Sequence, residues 1–141
     1  MSRVRRLHDT AGQSLAEFAI LLPILMGVVI GIFEFGRAWN IDQVLTNAAR
    51  EGARLGVIPT SSESDVIAAV EQALVNAGLD PAQASIRPKG VGDNYGTPLE
   101  LEVRYPYEFT FLGPIMAFLG DGEGETPGAI TLNSRITMRN E

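Results

Sequence analysis

The run FAILLPILMGVVIGIF occupies residues 18–33 and has no charged side chain in its 16 positions. As an α-helix it is about 24 Å long, because each residue adds about 1.5 Å. The hydrocarbon core of a bilayer is about 30 Å thick, and the helix spans it if residues 14–35 insert. Glu17 and Glu34 then mark the two boundaries. A chain of 141 residues has no large domain to cover such a run, which therefore predicts a membrane-spanning helix.

Basic residues flank this run on its N-terminal side. Arg3, Arg5 and Arg6 are offset only by Asp9, whereas the arginines beyond the run alternate with acidic residues. Because segments rich in Lys and Arg stay in the cytoplasm, we expect residues 1–12 to form a basic cytoplasmic leader. A cleaved secretory signal peptide has similar basic and apolar regions. No small-x-small cleavage site follows the run, however, and the helical pattern continues without a break.

The rest of the chain is acidic and lacks the side chains of most catalytic sites. The whole chain has a net charge of −6 and no cysteine, and His8 is its single histidine. An acidic surface repels phosphate backbones, so nucleic-acid binding is disfavoured. Thiolate zinc sites and histidine triads are excluded, and no nucleophile–base set is evident. We therefore expect no cofactor, no metal and no enzymatic activity.

The helical pattern extends well past the apolar run. Apolar residues recur at three- and four-residue spacing through GRAWNIDQVLTNAAREGARLGV, which predicts an amphipathic helix. No proline interrupts it, so we expect one transmembrane and stalk helix over residues 13–55. Its outer half must then pack on the domain or on neighbouring subunits. Ser62 and Asp65 have the spacing of a capping box and predict the start of a second helix, which Gly78 closes.

Three strands are predicted after the second helix, over residues 84–88, 99–111 and 129–139. Apolar and polar residues alternate along the two longer runs, which is typical of a sheet with one buried face and one wet face. The second helix is the natural cover for the buried face. The sequence therefore predicts an α+β protein, with the second helix packed on a small three-stranded antiparallel sheet and a domain over residues 56–141.

Glu17 is the residue in the apolar helix that most needs an explanation. An ionised carboxylate in a membrane is costly and usually functional, although a side chain this close to the helix start can also reach the cytoplasmic interface. The sequence around it is Gly12-Gln13-Ser14-Leu15-Ala16-Glu17-Phe18. This resembles the cleavage motif of type IV prepilins, and most closely the form found in the Tad (tight adherence) system.

The resemblance extends over residues 12–57 and is closest to TadE-like pseudopilins. It rests on Glu17-Phe18, on Leu-Leu-Pro at 21–23, on Phe35-Gly36-Arg37 and on NAAREGAR at 47–54. It implies a pseudopilin or minor pilin of a Tad-type pilus or secretion apparatus in the bacterial inner membrane, with an extracytoplasmic pilin-like domain. A surface pilus is the second location that the resemblance allows. Membrane lipid, a prepilin peptidase, other pilin subunits and Tad assembly proteins would be its partners. An envelope-tethered binding module without a filament role is the alternative.

The same resemblance assigns roles to residues at the start of the helix. The peptidase would cut after Gly12, so that Gln13 becomes the N-terminus and Glu17 the fifth residue. The new α-amine is a cation in a setting of low dielectric constant, and Glu17 of a neighbouring helix would neutralise it. Glu17 and Phe18 are thus the predicted assembly residues.

Further along the helix, Pro23 either bends it for packing or is simply tolerated. Gly27 and Gly31 form a GxxxG pair, which either mediates close helix contact or occurs by chance. Glu34 and Arg37 are one turn apart, and we expect them to pair with each other.

The segment between the last two strands begins apolar and ends acidic. Its aromatic and aliphatic residues could fill the domain core or form a patch that docks on a partner or on the membrane; they are Phe109, Phe111, Ile115, Met116, Phe118 and Leu119. The run DGEGE at 121–125 lacks the full ligand set of an EF-hand, which favours a solvated turn over a calcium site.

Overall fold

The computed structural model describes residues 10–92, 95–111, 113–114 and 129–140. In chain order its elements are α1 (Thr10–Gly56), α2 (Glu63–Asn76), a 3₁₀ turn (Pro81–Gln83), β1 (Ser85–Lys89), β2 (Pro98–Glu108) and β3 (Ala129–Arg139). The α+β class and the order of helices and strands are as predicted. Residues 1–9 of the basic leader, which include its arginines and the lone histidine, the DGEGE run and the apolar residues at 115–119 lie outside the described residues.

Helix α1 passes through two different environments. It is 47 residues long, or about 70 Å, and is long and apolar enough to cross a membrane. Residues 12–29 are exposed at every position. From Glu34 onward one face is buried, with Ala38, Leu45 and Ala49 among the covered residues. The apolar half therefore projects from a folded unit that includes the second half of the same helix.

The start of α2 shows the predicted capping box. The backbone N–H of Ser62 donates to Oδ2 of Asp65 at 2.9 Å, and that of Asp65 donates to the Ser62 hydroxyl at 3.3 Å. The Ser62 hydroxyl, which donates to Oδ2 of Asp65 at 2.6 Å, and then the Ser62 backbone N–H lower the pKa of the Asp65 carboxyl. At the other end the chain leaves the helix through Gly78, whose φ of 77° is readily adopted only by glycine.

The three strands form one antiparallel sheet in the order β1-β2-β3. Register pairs Ile86 with Val103 and Val103 with Ser134. The predicted alternation on β2 is confirmed: the odd-numbered residues from 99 to 107 are buried on one face. Strand β2 ends at Glu108, three residues earlier than predicted, because the backbone amides at 110 and 111 bond to the Glu34 side chain instead of to a strand.

The wet face of the sheet carries a cross-strand ion cluster around Glu102. Its Oε1 accepts from Arg104 at 2.8 Å, from Arg135 at 3.1 Å and from Asn133 at 3.1 Å. The bond from Arg104, followed by that from Arg135, lowers the pKa of this carboxyl to about 2. Charge-assisted bonds of this kind tie β2 to β3 on the solvent side.

Both helices cover the other face of the sheet. Helix α1 packs on α2, β2 and β3, and α2 also contacts β1. Small residues allow this close approach: a Cβ added at Gly52 would lie 2.5 Å from Cγ2 of Val70 and 2.9 Å from Cδ2 of Leu101. Helix α1 contributes mainly alanines to the core, together with Leu45, and the other elements contribute leucines and valines. The core residues include Leu45, Ala48, Ala49, Ala53, Val66, Val70, Leu74, Leu99, Leu101 and Val103.

Candidate functional site

The residues of the predicted cleavage and assembly site lie together at the free end of α1. Gly12, Gln13, Glu17 and Phe18 are all exposed. The Gln13 side-chain amide donates to Oε1 of Glu17 at 3.0 Å, so the two side chains share one helix face. Among the described residues no cation pairs with Glu17. Its carboxylate therefore lies on the exposed surface of α1.

The predicted packing residues continue along the exposed half of the helix. Helix α1 runs through Pro23 without ending. A Cβ added at Gly27 or Gly31 would meet nothing within 4 Å. The roles of these three residues concern contacts between molecules and remain predictions.

Glu34 has a role that the sequence did not predict. Its side chain is buried, with the residue 1% exposed. Oε1 accepts the backbone N–H of Phe111 at 2.9 Å, and Oε2 accepts that of Thr110 at 3.2 Å. The Tyr107 hydroxyl lies 3.2 Å from Oε2 and 3.2 Å from the Glu34 carbonyl oxygen. Glu34 therefore ties α1 to the turn that follows β2.

The predicted pairing of Glu34 with Arg37 is wrong. Arg37 instead donates from Nη1 to the Thr110 hydroxyl at 3.0 Å, and its guanidinium lies 6.0 Å from the centre of the Tyr107 ring. An exposed ion pair one turn apart is worth only a few tenths of a kcal/mol (~0.3–0.5). Directed donors to a buried carboxylate are worth about 1.5–3 kcal/mol each, and this difference decides the partner.

Tyr107 is held in a state suited to this contact. Burial, followed by the negative charge of Glu34, raises the pKa of its phenol. The hydroxyl thus stays protonated and can donate. A sequence signal for its burial existed, because the alternation along β2 places Tyr107 on the inner face. Nothing in the spacing paired it with Glu34, which is 73 residues away.

Aromatic rings gather where α1 emerges from its apolar half. Phe109 packs edge-on against Phe35, with ring centroids 5.8 Å apart, and against Tyr107 at 5.2 Å. Phe109 is half-buried, but Phe111 is exposed, so the core placement offered for Phe111 is wrong. The turn after β2 therefore presents an aromatic side chain outward.

The described surface also carries two open grooves. One lies between α1 and α2, has a volume of about 300 Å³ and is lined by residues that include Asn47, Glu51 and Asn76. The other, of about 260 Å³, includes Arg37, Gln83 and Tyr105. Among the described residues no three or more His, Cys, Asp or Glu side chains are grouped to hold a metal ion.

These features define the class of protein. In the part of the chain that the structure describes, one exposed apolar helix continues into a small α+β unit, which fits a single-pass membrane protein. The family model described as TadE-like protein matches residues 12–54, which confirms the resemblance drawn from the motif residues. The N-terminal helix is thus similar to that of TadE-like proteins. Neither the curated proteins nor the solved structures included a match to the chain.

Proposed function

We propose that this chain is a membrane-anchored pseudopilin, a minor structural subunit of a Tad-type pilus or secretion apparatus that assembles through its N-terminal helix. The observation that carries the proposal is the exposed apolar half of α1, residues 12–29, with Glu17 near its start. Such a surface, about 27 Å long, needs either lipid or neighbouring helices around it. A TadE-like helix would contact lipid while it spans the membrane and neighbouring helices once it is assembled.

The proposed chain has three parts: the basic leader at 1–12, the transmembrane and stalk helix at 13–55, and the outer α+β domain at 56–141. Cleavage after Gly12 would create an α-amine on Gln13. The side chain of Gln13 already bonds to Oε1 of Glu17, and among the described residues nothing bonds to Oε2 of Glu17. That second oxygen suits the amine of a neighbouring subunit, since an unpaired ion between apolar helices is costly.

Processing is tested in cells that carry a Tad prepilin peptidase. Mass spectrometry of the membrane-extracted protein should find a chain that starts at Gln13. Recovery of only the uncleaved chain in cells with active peptidase would contradict this step.

Assembly is tested with Glu17→Gln, which keeps the shape of the side chain but removes its charge. The variant should insert in the membrane like the parent and fail to co-purify with the pilus machinery. Glu51→Gln is the matched control, because Glu51 is an exposed carboxylate on the same helix but lies beyond the span; it should assemble normally. Cleavage after Gly12 is assayed in parallel to separate the two effects.

Orientation is tested with a reporter that is active only beyond the cytoplasmic membrane, fused after Glu141. We expect activity, because the arginine flank holds the N-terminus inside. Cytoplasmic activity of a matching reporter at the same position would contradict the topology. An uncleaved chain in which Glu17→Gln changes nothing would favour the envelope-tethered binding module instead.

A further inference from the structure

Four large aromatic side chains are exposed where α1 leaves its apolar run. Phe33, Phe35, Trp39 and Phe111 are 69%, 65%, 70% and 60% exposed; we refer to them as the aromatic collar. Side chains of this size contribute most when they are removed from water. Large apolar side chains exposed together at one level of a molecule mark a contact surface.

The collar occupies a narrow level along α1. Residues 33 and 39 are about 9 Å apart along the helix axis. The headgroup layer on each side of a bilayer is about 5–8 Å thick. The collar begins at the last residue of the uncharged run, so its level is the one at which a spanning helix leaves the hydrocarbon.

Phe111 belongs to this level although it comes from a distant part of the chain. Its backbone N–H donates to Oε1 of Glu34 at 2.9 Å. Thr110 beside it is held by the other carboxylate oxygen and by Arg37. The turn after β2 is therefore fixed one residue above the apolar run, with the Phe111 side chain facing outward.

We propose that the aromatic collar lies in the headgroup region of the outer leaflet, so that the chain contacts the bilayer through the turn at Phe111 as well as through its span. Tryptophan and other amphipathic aromatic residues concentrate in this region. Phe33 and Phe35 point about 160° apart around the helix axis. One flat protein partner does not cover both, whereas a bilayer that surrounds the helix does.

This inference goes beyond the proposed function, because it needs the membrane span but no pilus assembly. It also gives Glu34 a second role. Because its carboxylate holds residues 110 and 111, it fixes the position of the outer domain relative to the membrane surface.

The test uses the full chain in phosphatidylethanolamine–phosphatidylglycerol bilayers with lipids brominated near the headgroup, in mid-chain or at the chain end. Trp39 is the only tryptophan, so the fluorescence of the parent reports one site without any substitution. We expect the headgroup-proximal bromines to quench it most. Phe111→Trp in a Trp39→Phe background should show the same depth profile.

Tyr95→Trp in the same background is the matched control. Tyr95 is 87% exposed, and the neighbouring Gly96 bonds to Asn140 at the end of the domain near Gly56. That end is 22 residues of α1 beyond Glu34, or about 33 Å. This tryptophan should be quenched by aqueous iodide and not by brominated lipid.

Two results would overturn the proposal. In the first, the fluorescence of Trp39 or of the Phe111→Trp variant is quenched by iodide and unaffected by any brominated lipid. In the second, the emission of the Phe111→Trp variant depends on the protein-to-lipid ratio and not on bromine depth, which would assign the aromatic collar to contact with a second copy. Amide exchange of β2 and β3 in each variant is compared with the parent to verify that the fold is intact.

Discussion

At the scale of single residues, two glutamates on one helix have opposite fates. Glu17 is exposed and is bonded by a side chain of its own helix. Glu34 is buried and accepts bonds from a segment more than 70 residues away. A buried carboxylate is costly unless it is fully hydrogen-bonded, and here the turn after β2 supplies the donors. Glu34 is thus a structural link within the fold, whereas Glu17 lies on the exposed surface of α1.

Glu34→Ala should strongly destabilise the folded unit that the second half of α1 forms with α2 and the sheet. It leaves the amides of residues 110 and 111 and the Tyr107 hydroxyl without their acceptor. We expect a loss of about 2–4 kcal/mol in the free energy of unfolding, measured by urea denaturation of the full chain in detergent micelles. Glu17→Ala is the control and should leave the unfolding curve unchanged. Equal curves for the two variants would show that Glu34 is no anchor.

At the scale of elements, α1 is a single helix with two packing chemistries. Its first half presents large apolar side chains outward. Its second half presents a small-residue stripe inward, of which Ala49, Gly52 and Ala53 are part. The stripe lets the helix axis approach both α2 and the sheet closely, and little spare volume is left along it.

Gly52→Ala tests this close approach. The new methyl group would overlap Val70 and Leu101, which are both fully buried and have no open space to move into. We expect a loss of about 1–3 kcal/mol of stability. Gly36→Ala is the matched control, because a Cβ there meets nothing within 4 Å; better helix propensity should stabilise it by about 0.5–1 kcal/mol. Two variants of equal stability would refute the packing argument.

The sheet has an acid-sensitive element in Glu102. The pKa of this carboxyl falls from 4.5 to about 2 on folding because Arg104 and Arg135 bond to it. Its ionised form is therefore favoured in the folded state. The stabilisation is complete above pH 4.5 and is lost as the pH falls toward 2.

Urea midpoints measured across this range should drop for the parent, and the drop should be smaller for Glu102→Gln. Glu71→Gln, on the exposed face of α2, should retain the drop of the parent. An unaltered pH dependence in Glu102→Gln would assign the acid sensitivity to other groups.

At the scale of the whole molecule, an apolar half-helix is joined to a unit whose core does not use it. The core residues on α1 begin at Ala38 and the anchoring carboxylate at Glu34. Residues 12–29 contribute exposed surface alone. The apolar half of α1 and the folded unit are therefore energetically separable, although one helix runs through both.

Truncation tests this separation. A chain that starts at Gly31, kept in mild detergent, should retain the protected amides of β2 and β3 in hydrogen exchange. A chain that starts at Gly52 loses Leu45, Ala48 and Ala49, which are all buried, and should lose that protection. Loss of protection in the longer truncation would mean that the apolar half stabilises the domain after all.

The sequence by itself determined the elements and their faces. Helical and strand periodicities are local properties, so the long helix, the capping box at Ser62 and the alternation along β2 were all readable from neighbouring residues. The match over residues 12–54 follows from the same local motif. These patterns also predicted that Tyr107 lies on the inner face of the sheet, but not that it bonds to Glu34.

Only the tertiary structure decided which distant groups meet. Glu34 was expected to pair within its own helix, and Phe111 was offered either as a core residue or as part of a docking patch, because one-dimensional spacing shows only near neighbours. The end of β2 comes to rest beside the last turn of the apolar run because α1 lies across β2 and β3. There the buried carboxylate of Glu34 is stabilised more by backbone amides than it would be by the exposed Arg37. Phe111 is left exposed beside the apolar run.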